Sequence, residues 1–258
     1  MVDGISTCGI SQMRYLPTRT ALRNTSSVCE FSMLMISWLG TQGAQQLLIA
    51  MSAIAALLML APAMWRFRHT QRTDEEASER DGILGALGLI TILGLVALLV
   101  WSVPQVPPGL VAFGRRLPTY TALPKFLYVG EGMNASIAVS EWSNGVRSFH
   151  VSGKVVASSE PQDMRMQRML CHLPALIHRQ PRSALIVGCG AGVTAGSFVV
   201  HPDIERIVIC EIEPLIPPAA GKYFNYENYN VMNDPRVEIV YDDARHYIAT
   251  THEKFDII

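Results

Sequence analysis

Two long stretches without a charged residue constrain the fold of this chain more than any other feature. They extend over residues 31–65 and 82–114. Segments near 47–64 and 83–103 within them are apolar and close to the length of about 20 residues that a helix needs to cross a bilayer. A buried helix of a soluble protein is the alternative for each, but two uncharged runs separated by a charged loop favour a membrane. We therefore predict two transmembrane helices, the second being the stronger candidate, and a partial helix at 31–40.

Positive charges beside these segments bear on their orientation, because Lys and Arg are enriched in cytoplasmic loops. The loop 66–81 carries four arginines, which favours a cytoplasmic position for the loop. Arg115, Arg116 and Lys125 follow the second segment and favour a cytoplasmic C-terminal part instead. The charge rule alone leaves both orientations open.

The composition changes after residue 114, so we assign 1–114 to the membrane region and the remainder to a globular part of mixed α/β composition. Prolines such as Pro118 and Pro124 predict an irregular connector over 115–132, since proline lacks a backbone donor and disfavours helix before it. The formal net charge of −1 predicts no nucleic-acid partner, which would require a basic surface.

A β-hairpin region is predicted over 133–160. Apolar residues alternate with smaller or polar ones on both sides of Asn144-Gly145, which is typical of a tight turn with positive φ angles. The sequence Ser159-Glu160-Pro161-Gln162 then predicts the start of a helix. We expect the helix to pack through a face spaced at i, i+3, i+4 and i+7, formed by Met166, Met169, Leu170 and Leu173.

A β-rich run at 184–187 leads into a glycine turn that contains Gly188, Gly190 and Gly192, and a helical segment follows. Glycines at such a turn allow the backbone to bend sharply and to approach a ligand closely. A glycine turn alone is weak evidence for binding, because many strand-to-helix turns use glycine for geometry only. The spacing G-x-G-x-G favours a nucleoside such as S-adenosylmethionine over a dinucleotide.

Acidic residues follow the next two predicted strands. Glu211 comes 23 positions after Gly188 (211 − 188), where a carboxylate holds ribose hydroxyls in folds of this kind. Asp242, Asp243 and Ala244 follow the third strand, where acids can accept from an adenine amino group. We also expect one of the two aspartates to cap the helix that follows.

A fourth strand is predicted at 255–258, where the sequence stops. The fold class is thus an α/β Rossmann-like domain of the S-adenosylmethionine-methyltransferase type over 161–258. It is predicted to be incomplete, truncated at the fourth strand, and preceded by the small β-hairpin region and the N-terminal transmembrane helices. The histidines have no metal-ligand spacing, so no metal is predicted.

The ordered set of motifs over roughly 130–258 resembles the spermidine synthases. It consists of Asn144-Gly145, His172-Leu173-Pro174, Gly188-Cys189-Gly190-Ala191-Gly192, Glu211-Ile212-Glu213, Asp234-Pro235-Arg236-Val237 and Asp242-Asp243-Ala244. The N-terminal spans resemble the membrane part of bacterial spermidine-synthase-like proteins. The expected location is therefore a bacterial plasma membrane, as a multi-pass protein with its C-terminal domain in the cytoplasm and bilayer lipid as a partner.

The resemblance implies an aminopropyltransferase that uses decarboxylated S-adenosylmethionine as co-substrate and releases methylthioadenosine. The acceptor would be a small-molecule amine such as putrescine, and a homo-oligomer is compatible with the resemblance. Glu211 would hold the ribose, Asp242, Asp243 and Ala244 would line the adenine, and the three glycines would form the nucleotide turn. Ala191 and Gln167 occupy positions that would face the polyamine substrate.

The sequence departs from the family pattern at those two substrate positions. Ala191 stands where the family's glycine turn has an aspartate, and Met166 and Gln167 stand where the family's helix has tyrosine and histidine. The aspartate expected as catalytic base lies beyond Ile258, so the catalytic residue is unknown and the truncated chain could be inactive. The alternatives are a methyltransferase on the same fold and a non-catalytic membrane protein that senses a nucleotide.

Overall fold

The computed structural model of the chain describes residues 35–36, 38–60 and 75–258. Among these residues, one helix is long and apolar enough to cross a membrane, namely α1 (Trp38–Leu60), with a mean hydropathy of 1.8. None of its apolar window is buried. α1 includes the last three residues of the predicted partial helix at 31–40 and most of the predicted span at 47–64. Residues 31–34, 37 and 61–64 of these predictions lie outside the described part of the chain.

The predicted span at 83–103 lies in a second long helix. It forms the second half of α2 (Glu75–Ser102), a helix whose first turns carry charged residues. Within it, Leu87–Ser102 is apolar, and the side chains of several residues before Leu87 lie outside the described part of the chain. Whether 83–103 crosses a membrane therefore stays a prediction.

α1 and α2 contact each other through two glutamine side chains. The Nε2 atom of Gln42 donates to the backbone oxygen of Val103 at 2.9 Å, and that of Gln46 donates to Val100 at 3.1 Å. Gln46 follows Gln42 along α1, whereas its partner Val100 precedes Val103, the partner of Gln42. The two helices therefore run antiparallel.

An antiparallel sheet of four strands follows, in the spatial order β1-β2-β3-β4. A short helix, α3 (Pro108–Phe113), precedes the sheet and packs on it. The strands are β1 (Lys125–Glu131), β2 (Ser136–Glu141), β3 (Arg147–Val151) and β4 (Lys154–Ser158). The connector predicted over 115–132 thus contains a strand, since apolar side chains of β1 pack against the core despite the prolines before it.

The predicted hairpin corresponds to β2 and β3, which pair in antiparallel register with Val139 opposite Phe149. The turn between them differs from the prediction in one detail. Gly145 has a positive φ of 81°, whereas Asn144 is not among the described residues with positive φ. The Asn144 side chain instead accepts a hydrogen bond from the backbone of Val146 at 3.1 Å.

The C-terminal part contains a parallel sheet in the order β5-β6-β7, formed by β5 (Ser183–Val187), β6 (Arg206–Cys210) and β7 (Val237–Val240). The three strands confirm the sequence prediction. Ile257 adds one parallel bridge to Ala184 on the free side of β5, at the position of the predicted fourth strand. The helices are α4 (Pro161–Ile177), α5 (Val193–Val199), α6 (Ile216–Tyr223) and α7 (Ala244–Thr250).

The face of α4 that packs against α5 is not the predicted one. Its buried residues are Met164, Gln167, Cys171 and Ala175. The predicted face is exposed, with between 42% and 61% of each residue accessible, at Met166, Met169, Leu170 and Leu173. Both stripes have helical spacing, and the buried stripe lies at the contact with α5. Its last two members, Cys171 and Ala175, are small and leave room for close packing.

The start of α4 also departs from the predicted capping box. Glu160 is the N-cap and makes no side-chain cap, while Pro161 occupies the first turn as expected. The Ser159 hydroxyl oxygen accepts from the backbone of Arg147 at 2.9 Å and so joins β3 to the segment before α4.

Candidate nucleotide-binding site

The glycine turn connects β5 to α5 at the carboxyl edge of the parallel sheet. Gly188, Gly190 and Gly192 all have positive φ, at 84°, 55° and 76°. A Cβ atom on Gly188 or Gly190 would meet nothing within 4 Å, so these two glycines serve the backbone conformation and leave open space above the turn. Gly192 differs, because its Cβ would lie 3.0 Å from Met232 and 3.1 Å from the Asn228 amide.

Glu211 is buried and is fixed against this turn. Its Oε2 atom accepts from the backbone N–H of Cys189 at 2.7 Å, and its Oε1 atom accepts from that of Glu213 at 3.1 Å. A carboxylate has about four acceptor positions, so two bonds leave capacity for hydroxyl donors. The strand end predicted to hold a ribose therefore carries an oriented carboxylate directly beside the glycine turn.

Asp243 caps α7, as expected for one of the two aspartates. It accepts from the backbone of Arg245 at 2.9 Å and pairs with the guanidinium of Arg245 at 2.8 Å. Hydrogen bonds from Arg245 lower the pKa of Asp243 to about 2, so the carboxylate stays ionised at neutral pH. Ala244 begins the helix and packs against the cluster formed by Leu185, Val208 and Cys210.

Asp242 follows β7 and lies at the same carboxyl edge of the parallel sheet. Its Oδ2 atom lies 2.7 Å from Nδ1 of His246, and this contact raises the pKa of His246. The backbone oxygen of Asp242 accepts from the thiol of Cys210 at 3.4 Å. The ends of β6 and β7, and with them Glu211 and Asp242, therefore lie side by side.

The two predicted substrate positions are both buried. Ala191 is 1% exposed, and its backbone oxygen accepts from the Asn228 amide at 3.1 Å. Gln167 is 8% exposed, and its amide donates to the backbone oxygen of Ser158 at 3.2 Å. Thr194 connects the two regions, since its hydroxyl donates to the backbone oxygen of Gln167.

Glu213, the last residue of the Glu211-Ile212-Glu213 motif, has contacts that the sequence does not predict. It is 1% exposed and accepts from the backbone of Asn134 at 2.8 Å and of Ala135 at 3.1 Å, in the turn between β1 and β2. This contact holds the antiparallel sheet beside the carboxyl edge of the parallel sheet. Its partners lie nearly 80 positions earlier, so no local pattern indicates them.

Comparison with known proteins assigns the domain that contains these residues. Residues 163–258 match the family model of the spermine/spermidine synthase domain. This part of the chain is similar to the spermidine synthases. The sequence resemblance is thereby confirmed, and the matched range includes the glycine turn, Glu211 and both aspartates.

Polyamine aminopropyltransferases are among the relatives of this spermidine synthase domain. The enzyme of Buchnera aphidicola subsp. Schizaphis graminum is 31% identical over 144 residues, which cover 56% of this chain and 50% of the relative. The enzyme of Thermotoga petrophila is 28% identical over 145 residues, covering 56% and 48%. The crystal structure of spermidine synthase from Thermotoga maritima aligns with a TM-score of 0.48 at 29% identity, covering 52% of this chain and 47% of that one.

The chain spans about half the length of the curated relatives that it matches. The alignments with these relatives cover 56% of this chain, and the family model matches residues 163–258. The membrane-like helices α1 and α2 lie outside the residues that the family model matches.

Proposed function

We propose that residues 125–258 form the nucleotide-binding part of an aminopropyltransferase that takes decarboxylated S-adenosylmethionine as co-substrate. One observation carries the proposal: the Glu211 carboxylate is held 2.7 Å from the backbone nitrogen of Cys189, in the glycine turn. Beside it is open space, because Cβ atoms on Gly188 and Gly190 would meet no atom within 4 Å. A ribose placed over Gly188 and Gly190 would bring its hydroxyls to the acceptor positions of Glu211. Asp242, Asp243 and Ala244 would then lie at the adenine end of the same ligand.

The proposed reaction is a displacement at the carbon next to the sulfonium. The amine nitrogen forms a bond to that carbon, the carbon–sulfur bond breaks with its electrons passing to sulfur, and methylthioadenosine leaves. The new ammonium group loses a proton to a base. The residues of this chain bind and orient the nucleotide, which is where most of the catalytic advantage of such a reaction arises.

A second candidate function is nucleotide binding without transfer, and the two buried substrate positions favour it. Ala191 offers a methyl group and Gln167 uses its amide on Ser158, so neither position presents a carboxylate to a cationic amine. Each missing charge-assisted hydrogen bond costs about 1.5–3 kcal/mol of binding free energy. Putrescine binding would therefore be weak even where the nucleotide binds well.

Calorimetric titration with methylthioadenosine tests the nucleotide proposal. Glu211→Gln should weaken binding at least about tenfold, because the loss of an ionised acceptor is worth about 1.5–3 kcal/mol. The matched control is Glu238→Gln on the neighbouring strand, where the side chain is exposed and bonds to Arg206. Equal affinity of the Glu211→Gln variant and the parent, with both folded by circular dichroism, would contradict the proposal.

Incubation with labelled decarboxylated S-adenosylmethionine and a panel of amines then separates the candidate functions. Label in the amine product supports aminopropyl transfer. Binding of methylthioadenosine with no labelled product supports the non-catalytic reading, and methyl transfer from S-adenosylmethionine supports a methyltransferase.

We also propose that α1 anchors the chain in a bacterial plasma membrane, with the C-terminal domain in the cytoplasm. The unburied apolar window of α1, the glutamine contacts to α2, and the basic residues Arg115, Arg116 and Lys125 after α2 support this proposal. Sedimentation with membranes that resists carbonate extraction is the expected result. Release of the full chain by carbonate would exclude an integral anchor.

A further inference from the structure

A cluster of sulfur and nitrogen donors lies on the helix side of the parallel sheet, outside the residues assigned to the nucleotide. Cys171 and His172 belong to α4, and His201 follows α5. One ligand atom from each of the three lies within 4.8 Å of the others. The Nδ1 atom of His172 is 2.9 Å from the Nε2 atom of His201.

The burial of the three side chains suits a bound ion that exchanges with solvent. Cys171 is fully buried, whereas His172 and His201 are partly exposed. His172 also lines a surface pocket of about 610 Å³. An ion at the cluster would therefore have protein on the sulfur side and access to water on the histidine side.

The donor set selects the class of metal. One thiolate and two imidazoles are ligands of zinc and of related late transition metals, whereas magnesium and calcium require oxygen ligands. Zinc binds nitrogen at about 2.0–2.1 Å in tetrahedral geometry, which places two such nitrogens roughly 3.4 Å apart. The two imidazoles would have to separate by about half an ångström from their hydrogen-bonded distance, a movement available to partly exposed side chains.

We infer that Cys171, His172 and His201 form a Zn²⁺ site with three protein ligands and a fourth position open to water. On binding, the Cys171 thiol loses its proton to solvent as the sulfur–zinc bond forms. Whichever imidazole donates the present hydrogen bond changes tautomer, so that its proton moves to the other ring nitrogen and a lone pair faces the metal. No electron transfer is involved.

The site would add a metal cross-link between α4 and the segment after α5. Hydrogen bonds from Thr194 of α5 to Gln167 and between His172 and His201 already join this region. Because zinc requires the folded arrangement of Cys171 and His201, its binding stabilises the folded chain by mass action. The sequence predicted no metal here because His201 lies 29 positions from His172, far outside the spacing of a local zinc motif.

The test uses the full chain, purified in detergent and freed of metal by a chelator, with Co²⁺ as a spectroscopic substitute for zinc. One equivalent of Co²⁺ should produce a thiolate-to-cobalt charge-transfer band and tetrahedral ligand-field bands. Zn²⁺ should displace the cobalt and raise the melting temperature. An absent charge-transfer band, or octahedral cobalt without sulfur ligation, would overturn the proposal.

Three variants locate the site. Cys171→Ser should abolish the charge-transfer band. His201→Gln should weaken zinc binding by more than about 10- to 100-fold, which is the loss expected when a zinc ligand loses only its outer hydrogen-bond partner. Cys210→Ser, at a buried cysteine on the strand β6, should retain the band. A band that persists in Cys171→Ser, or zinc affinity unchanged in a folded His201→Gln variant, would place the metal elsewhere and refute the assignment.

Discussion

The carboxylate of Glu213, at the end of the parallel sheet, accepts a 2.8 Å hydrogen bond from the backbone of Asn134, in the turn between β1 and β2. The Asn134 amide in return donates to the backbone oxygen of Ile212 at 2.7 Å. Gly132 lies so close that a Cβ atom on it would be 2.2 Å from the Glu213 carboxylate. The two sheets are thus locked at the edge where the nucleotide is proposed to bind.

Glu213→Ala should loosen this junction. The backbone N–H groups of Asn134, Ala135 and Leu215 would lose their acceptor, at a cost of about 1–3 kcal/mol for each donor that water does not reach. Hydrogen exchange should accelerate at residues 132–136. The control is Glu160→Ala, because the Glu160 side chain is exposed and makes no cap hydrogen bond. Equally slow exchange at 132–136 in both variants would contradict the role of Glu213 in this junction.

The residues foreseen from the sequence are those whose role is set by neighbours along the chain. The positive φ angles of Gly188, Gly190 and Gly192 follow from a strand-to-helix turn, and the capping role of Asp243 follows from its place before α7. The position of Glu211 follows from the end of β6. Local pattern was sufficient in each case.

The features that the sequence did not reveal depend on distant partners. Glu213 and the cluster of Cys171 with His201 are defined by contacts across the fold. Hydrophobicity alone favours burial of Met166 and its apolar neighbours on α4. The close approach of α5 decides the matter in favour of the stripe with Cys171 and Ala175.

Gly196→Ala should strongly destabilise the domain. Gly196 lies in α5, and a Cβ atom there would be 2.0 Å from the backbone oxygen of Asn228, which cannot move like a flexible side chain. Overpacking of this kind costs about 1–3 kcal/mol or more. Gly94→Ala is the matched control, since a Cβ on this helical glycine of α2 meets nothing within 4 Å. The melting temperature should decrease strongly in Gly196→Ala and should not decrease in Gly94→Ala. Similar melting temperatures would refute the close contact.

The buried His150 should make the stability of the antiparallel sheet depend on pH. Its Nδ1 atom lies 2.9 Å from the backbone oxygen of Ala112, its Nε2 atom lies 2.8 Å from the Ser140 hydroxyl, and burial lowers its pKa below the usual 6.5. The unfolded chain therefore takes up a proton at a higher pH than the folded chain does. The contribution of His150 to the free energy of unfolding is fully present above pH 6.5. It decreases as the pH falls from there towards the pKa of the folded state, with a slope of at most about 1.4 kcal/mol per pH unit.

Urea unfolding at several pH values measures this dependence. His150→Gln should reduce the slope between pH 6.5 and about 5, whereas the exposed His178→Gln should leave it unchanged. His201, whose pKa is also lowered by burial, contributes with the same sign and is present in both variants. An unchanged slope in the His150→Gln variant would show that this histidine is not the titrating group.

Arg236 should be irreplaceable by lysine, because its guanidinium makes several bonds in fixed directions. It binds both carboxylate oxygens of Asp234, at 3.0 and 2.9 Å, and donates to the backbone oxygens of Val199 at 2.8 Å and Ile204 at 3.1 Å. This arrangement ties the start of β7 to the end of α5 and lowers the pKa of Asp234. Lysine retains the charge but cannot form the planar fork, so Arg236→Lys should lower the free energy of unfolding by about 1–3 kcal/mol.

Arg245→Lys provides the matched comparison for this variant. Arg245 likewise pairs with an aspartate two positions earlier, Asp243, but its side chain is 92% exposed against 27% for Arg236. Exposed pairs contribute little, so Arg245→Lys should change stability by less than about 0.5 kcal/mol. Carboxyl NMR titration of the Arg236→Lys variant should also show the pKa of Asp234 rising towards the usual 3.8. Equal losses in the two lysine variants would mean that charge, and not the geometry of the Arg236 fork, holds β7 to α5.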